Sequence, residues 1–106
     1  MVQSGARSRK AVEAALKRER TAFAMKVHAA RAILGWSQTD LAERVGMTQR
    51  AIHRIEQGDH DPMRSTVVAI ERAWEAEGIE LRDDPKGGFT VKFLKHFVWD
   101  RRKNKN

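Results

Sequence analysis

Between Ser37 and Gly58 the chain reads SQTDLAERVGMTQRAIHRIEQG, two short amphipathic segments joined through one glycine. Ser37 stands where a side-chain oxygen can accept from a free backbone N–H of the first segment. Asp40 lies in that segment's first turn, where the helix dipole favours negative charge. Leu41, Ala42 and Val45 fall at i, i+1 and i+4 and make one apolar face, with Ala42 small where a second helix must come close. Gly46 is a helix stop, because it takes a positive φ at little cost. Met47 is placed to plug the corner and Thr48 to cap the next segment, in which Ile52 and Ile55 repeat at i and i+3 before Gly58 closes it. The spacing predicts two short helices at a tight turn. The second carries Gln49, Arg50, His53 and Arg54 toward the outside, and a helix presented in this way can enter the DNA major groove.

The pattern resembles the Cro/lambda-repressor-like (xenobiotic-response-element type) helix–turn–helix family of transcriptional regulators. The small Ala42, the turn Gly46 and the apolar Leu41, Val45, Met47, Ile52 and Ile55 fall where the family has them. Its frequent opening is present as Ser37-Gln38, its ending as Glu56-Gln57-Gly58, and its arginine in the preceding helix as Arg31. The resemblance covers residues 22–77. It implies a mainly α fold, a lambda-repressor-like bundle of four to five helices. It also implies that Gln49, Arg50 and Arg54 contact bases, and that Gln38, Thr48, His53 and Gln57 contact the DNA backbone. Arg31 and Glu56 are implied to form an ion pair joining the first and third helices. Arginine can hold guanine O6 and N7 in a fork, and glutamine can do the same with adenine N6 and N7. The plain alternative for each outward residue is a solvated helix face.

Around this motif the chain divides by charge. Its formal net charge is +7, but residues 1–20 carry six Lys/Arg against two Glu, residues 21–81 seven against nine acidic residues, and residues 82–106 eight against three. The reader itself is therefore slightly acidic and both ends are basic. Basic ends keep a protein soluble, or they neutralise phosphates and release counterions. Glu71, Glu75, Glu77 and Glu80 cluster on or just after the fourth helix, the side expected to face away from DNA.

The division along the chain follows. Residues 1–20 form a basic, partly helical N-terminal extension, with residues 1–8 expected to be disordered. Residues 9–34 contain no Pro or Gly and read as one helix, or as two broken near Thr21. Val12, Ala15 and Leu16 make a weak apolar stripe; Phe23, Val27, Ala30 and Leu34 make a stronger one. The weak stripe fits an arm along DNA, a dimer contact or a solvated helix. Residues 21–78 make the helix–turn–helix domain, with Trp36 in the core. Its fourth helix starts at Ser65 or Thr66, runs to Glu77, and closes the core through Val67, Ile70, Ala73 and Trp74. Residues 79–99 read as a C-terminal β-hairpin and apolar segment. Ile79 to Leu81 alternates, residues 83–88 are rich in turn formers, and Phe89, Val91 and Phe93 share one face. An isolated hairpin is marginal in water, so it must pack on the helices or pair with another chain. With Phe97, Val98 and Trp99 it is the first candidate for a dimer interface, and the N-terminal helix is the second. Residues 100–106 form a basic tail.

Other functions fit poorly. There is no cysteine, hence no disulfide framework or cysteine metal site. His28, His53, His60 and His96 lack metal spacing with acidic partners, and Gly87-Gly88 lacks the helix with Lys-Ser/Thr that a phosphate loop needs. No nucleophile–base pair stands out, so the expectation is no enzyme, no metal and no cofactor. The N-terminus lacks a continuous apolar stretch, and no segment is long and apolar enough to span a bilayer. A soluble cytoplasmic protein is expected, with an Ala/Arg/Glu-rich composition that suits a bacterium. The expected partner is double-stranded DNA, read by a homodimeric repressor on an inverted repeat. The rival reading is an antitoxin that binds a toxin and represses its own operon. Binding to RNA and a purely protein-binding anti-activator are the remaining alternatives.

Overall fold

The computed structural model describes residues 5–99. In chain order it contains α1 (Gly5–Leu34), α2 (Gln38–Val45), α3 (Gln49–Gln57), α4 (Arg64–Ala76), β1 (Ile79–Asp83) and β2 (Phe89–Phe93). The expected mainly α bundle with a C-terminal hairpin is what forms, with four helices among the described residues.

Two helices differ from expectation in their boundaries. The first helix begins at Gly5, inside the stretch expected to be disordered, and passes through Thr21 without a break. Nothing between Ala6 and Leu34 is a helix breaker, and one threonine costs little in a helix. The fourth helix starts at Arg64 rather than at Ser65 or Thr66, and it ends at Ala76 rather than at Glu77. Met63 takes the N-cap position in extended backbone with no side-chain cap, and its carbonyl accepts from Val67 N–H at 3.0 Å. A capping side chain is therefore not what sets this start. The basic tail 100–106 lies outside the described residues.

The core gathers the strong stripe of α1 (Val27, Ala30, Leu34), Trp36, Leu41 and Ala42 of α2, Ile52 and Ile55 of α3, and Ile70 and Trp74 of α4. Phe23 of α1 meets Trp74 with ring centroids 6.3 Å apart. Trp36 is buried, as expected, and its ring lies under the Arg44 guanidinium at 4.2 Å, a cation–π contact that tethers α2 to the loop before it. On α1 the apolar face outlasts the bundle: Val12 and Leu16 are exposed.

The hairpin packs on the helices through β1, whose Ile79 and Leu81 enter the core. β2 pairs antiparallel to it, with Ile79 opposite Phe93 and Leu81 opposite Val91. Lys26 of α1 reaches across to Asp83 at 2.7 Å, fixing the far end of the hairpin to the long helix. At the near end, Leu94 N–H donates to Gly78 O at 2.7 Å, and the backbone of Phe97 then crosses directly over Gly78. A Cβ at position 78 would lie 2.6 Å from Phe97 Cα, and the backbone there has φ of 97°. Glycine is required at this crossing on both counts.

Candidate nucleic-acid interface

The turn between α2 and α3 is built by local chemistry. Ser37 Oγ accepts from Asp40 N–H and the Asp40 carboxylate accepts from Ser37 N–H, each at 2.9 Å, a reciprocal capping box. Gly46 ends α2 with φ of 70°, and Thr48 Oγ1 accepts from Ala51 N–H at 3.1 Å to start α3. Ile52 and Ile55 anchor α3 in the core. Its opposite side leaves Gln49, Arg50, His53, Arg54 and Gln57 exposed.

Glu56 is the one acidic residue of α3, and its side chain is only 2% exposed. Arg31 of α1 holds it in a fork: Nε donates to Oε2 at 2.5 Å and a terminal nitrogen donates to Oε1 at 2.8 Å. The other terminal nitrogen donates to Trp36 O at 2.8 Å, so one guanidinium joins α1, α3 and the loop into α2. Gln38 Nε2 donates to Glu56 Oε1 at 3.1 Å, and Gln49 Nε2 donates in turn to Gln38 Oε1. A chain of polar contacts thus runs from Arg31 through Glu56 and Gln38 to Gln49, the first residue of α3.

These contacts bring together Arg31, Gln38, Gln49 and Glu56. Arg50, His53, Arg54 and Gln57 stay outside the network, with no side-chain partner among the described residues, and Thr48 serves as the cap of α3. Sequence reasoning did not single out His28. Its Nδ1 lies 3.2 Å from Glu56 Oε1 and its Nε2 lies 3.3 Å from Glu56 O. The signal was available, since His28 precedes Arg31 by three residues and shares its side of α1.

Burial alone would push the Glu56 carboxyl up. The hydrogen bonds from Arg31 and Gln38, with the charges of Arg31 and His28, outweigh it and hold the group below its ordinary value of 4.5. A depressed folded-state value contributes stability that is present above the unfolded value and is lost as pH falls through the folded one. Urea unfolding between pH 7 and pH 3 should therefore show stability falling once the pH drops below about 4.5. Glu56→Gln should remove that part of the slope. An unchanged slope would show that Glu56 is not its source.

Asp59, His60 and Asp61 do not converge. His60 Nδ1 lies 3.6 Å from Asp59, while Asp61 turns to Arg20 at 3.5 Å. No group of three or more His, Cys, Asp or Glu side chains among the described residues is arranged to hold a metal ion. No helix among them is long and apolar enough to cross a membrane.

Residues 27–73 match the helix-turn-helix family model. This segment is a Cro/lambda-repressor-like helix–turn–helix domain. A domain of this family supports a role in DNA-binding transcription regulation. The matched segment contains the whole network from Arg31 to Glu56. It leaves outside it the first 22 described residues of α1, the end of α4 and the hairpin. No curated protein and no solved structure matches the chain.

Proposed function

We propose that the protein is a sequence-specific repressor that binds double-stranded DNA as a homodimer on an inverted repeat, in the cytoplasm of a bacterium. The observation that carries this reading is the two-sided character of α3. One edge is clamped through Glu56, while Arg50 and Arg54 stand exposed on the other with no side-chain partner among the described residues. Two outward guanidinium groups on one helix face suit the paired acceptors of guanine in the major groove. Gln49 joins them at the first position of α3, its amide oriented by Gln38. Gln38, Thr48, His53 and Gln57 surround this patch and suit contacts to the DNA backbone. One reading helix covers only a few base pairs, so a twofold dimer would place a second helix one DNA turn away, ~34 Å.

Selection of bound sequences from random duplex DNA tests this. It should return a palindrome with half-sites one turn apart. Arg50→Ala and Arg54→Ala should each cost roughly 1–3 kcal/mol and relax preference at particular bases. Uniform weakening across all sequences would mean that these arginines contact only phosphates, and a failure to enrich any sequence would overturn the reading.

An antitoxin role for the same reader is favoured by the exposed Val12 and Leu16 on the part of α1 outside the matched segment. It predicts a stable complex with the product of an adjacent gene.

A further inference from the structure

The hairpin has one edge that is built to pair. In an antiparallel ladder, hydrogen-bonded and non-bonded residue pairs alternate. Leu94 N–H donates to Gly78 O at one end of the hairpin, and Asp84 N–H donates to Gly88 O at the other, at 3.0 Å. Both contacts continue the register of β1 with β2, so they set its parity. Thr90 and Lys92 direct their backbone groups toward β1. Phe89, Val91 and Phe93 direct theirs to the outer edge, where none has a backbone partner among the described residues. Among the described residues, the chain after β2 turns back over Gly78 on the β1 side, away from this edge.

The same edge is apolar on the face toward the bundle. Phe89 and Val91 are partly buried against the core, whereas Phe93 on the same face is 55% exposed and meets the Phe97 ring at a tilt, with centroids 4.8 Å apart. Neither proline nor a bulge interrupts the five residues FTVKF. An uncovered edge of this kind is a template for another strand.

We propose that this edge is the subunit interface: β2 pairs antiparallel with β2 of a second copy, centred on Val91. The strand is self-complementary in that register. Val91 faces its own symmetry mate, Phe89 faces Phe93 of the second copy, and Thr90 faces Lys92 of the second copy, so no like charges oppose one another. The three edge residues exchange their outward N–H and C=O groups, and two hairpins become one four-stranded sheet. Phe93, exposed in one copy, gains an aromatic neighbour on the core side. This inference rests on the dimeric reading above and specifies its surface and register.

The chain has no cysteine, so a single introduced thiol reports the register directly. In a hydrogen-bonded antiparallel pair the Cα atoms lie ~5.5 Å apart, within disulfide range. Val91→Cys should cross-link to a dimer on mild oxidation, and Lys86→Cys in the hairpin turn should not. Independently, Thr90→Lys would set two symmetry-related like-charge pairs against Lys92 and should weaken the dimer roughly two- to thirty-fold in sedimentation equilibrium. Thr90→Glu should strengthen it by a similar factor, with each variant's circular dichroism unchanged. A dimer that ignores both Thr90 variants, or in which Val91→Cys cross-links no better than Lys86→Cys, would place the interface elsewhere and leave the DNA reading standing. A monomer that binds an operator half-site would overturn the interface and the dimeric reading together.

Discussion

Arg31→Ala should destabilise the protein by about 3 kcal/mol and weaken DNA binding in the same step. The magnitude follows from what the substitution leaves behind. Glu56 stays buried with its carboxylate ionised, and removing one partner of a buried pair typically costs ~3–5 kcal/mol because the other charge is stranded. The lower end applies because Gln38 and His28 still face the carboxylate. The carbonyl of Trp36 loses its donor as well. The binding loss arises because α3 and Gln38 are positioned through Glu56. Arg31→Lys separates the two roles of the side chain. A lysine restores charge but not the fork, so it should recover part of the stability while base preference at the Gln49 position stays blurred. Urea melts beside operator titrations would check this. Full stability with lost binding would instead make Arg31 a direct DNA contact.

Trp74→Ala should cost a comparable ~3–5 kcal/mol, the usual range for deleting a buried large aromatic. Trp74 is 1% exposed and sits where α4 meets Phe23 of α1. Its removal opens a void between the long helix and the element that carries β1. Native stability is only about 5–15 kcal/mol in total, so much of the margin would go. The effect on DNA differs in kind from that of Arg31. The exposed α3 patch lies on the side of that helix away from the core that holds Trp74, so the folded fraction should bind with unchanged base preference. Unfolding followed by circular dichroism, with affinity corrected for the folded fraction, tests this. A shift in preferred sequence would mean that the core around Trp74 sets the pose of α3.

The helix pair was readable in the sequence because its signals are local. Ser37, Asp40, Gly46 and Thr48 act within one turn of where they stand, and the apolar spacing of Leu41, Ala42, Ile52 and Ile55 reports burial directly. The hairpin was readable for the same reason, through strict alternation on both sides of a glycine-rich turn. The start of α4 was not, because Met63 holds the N-cap position with no side-chain cap, and Ser65, which looked like a cap, lies inside the helix. The crossing of Phe97 over Gly78 was also hidden. Positions 78 and 97 are 19 residues apart, and a glycine after a helix already has a sufficient local explanation as its stop. At the site, Arg50 and Arg54 were legible as outward residues. The passage of contacts from Glu56 through Gln38 to Gln49 depends on how three helices meet. His28 was weighed only as a metal ligand, although its place three residues before Arg31 on α1 was the signal for its contact with Glu56.

The unbroken course of α1 has a mechanical consequence. With no hinge between Val12 and Arg31, a span of 19 residues or ~29 Å of helix, these two positions belong to one stiff rod. Its C-terminal portion holds the clamp on Glu56, and its N-terminal portion projects free of the bundle with Val12 and Leu16 uncovered. Anything that grips the free end has leverage on the clamp, so the tilt of α3 is adjustable from a surface that does not touch α3.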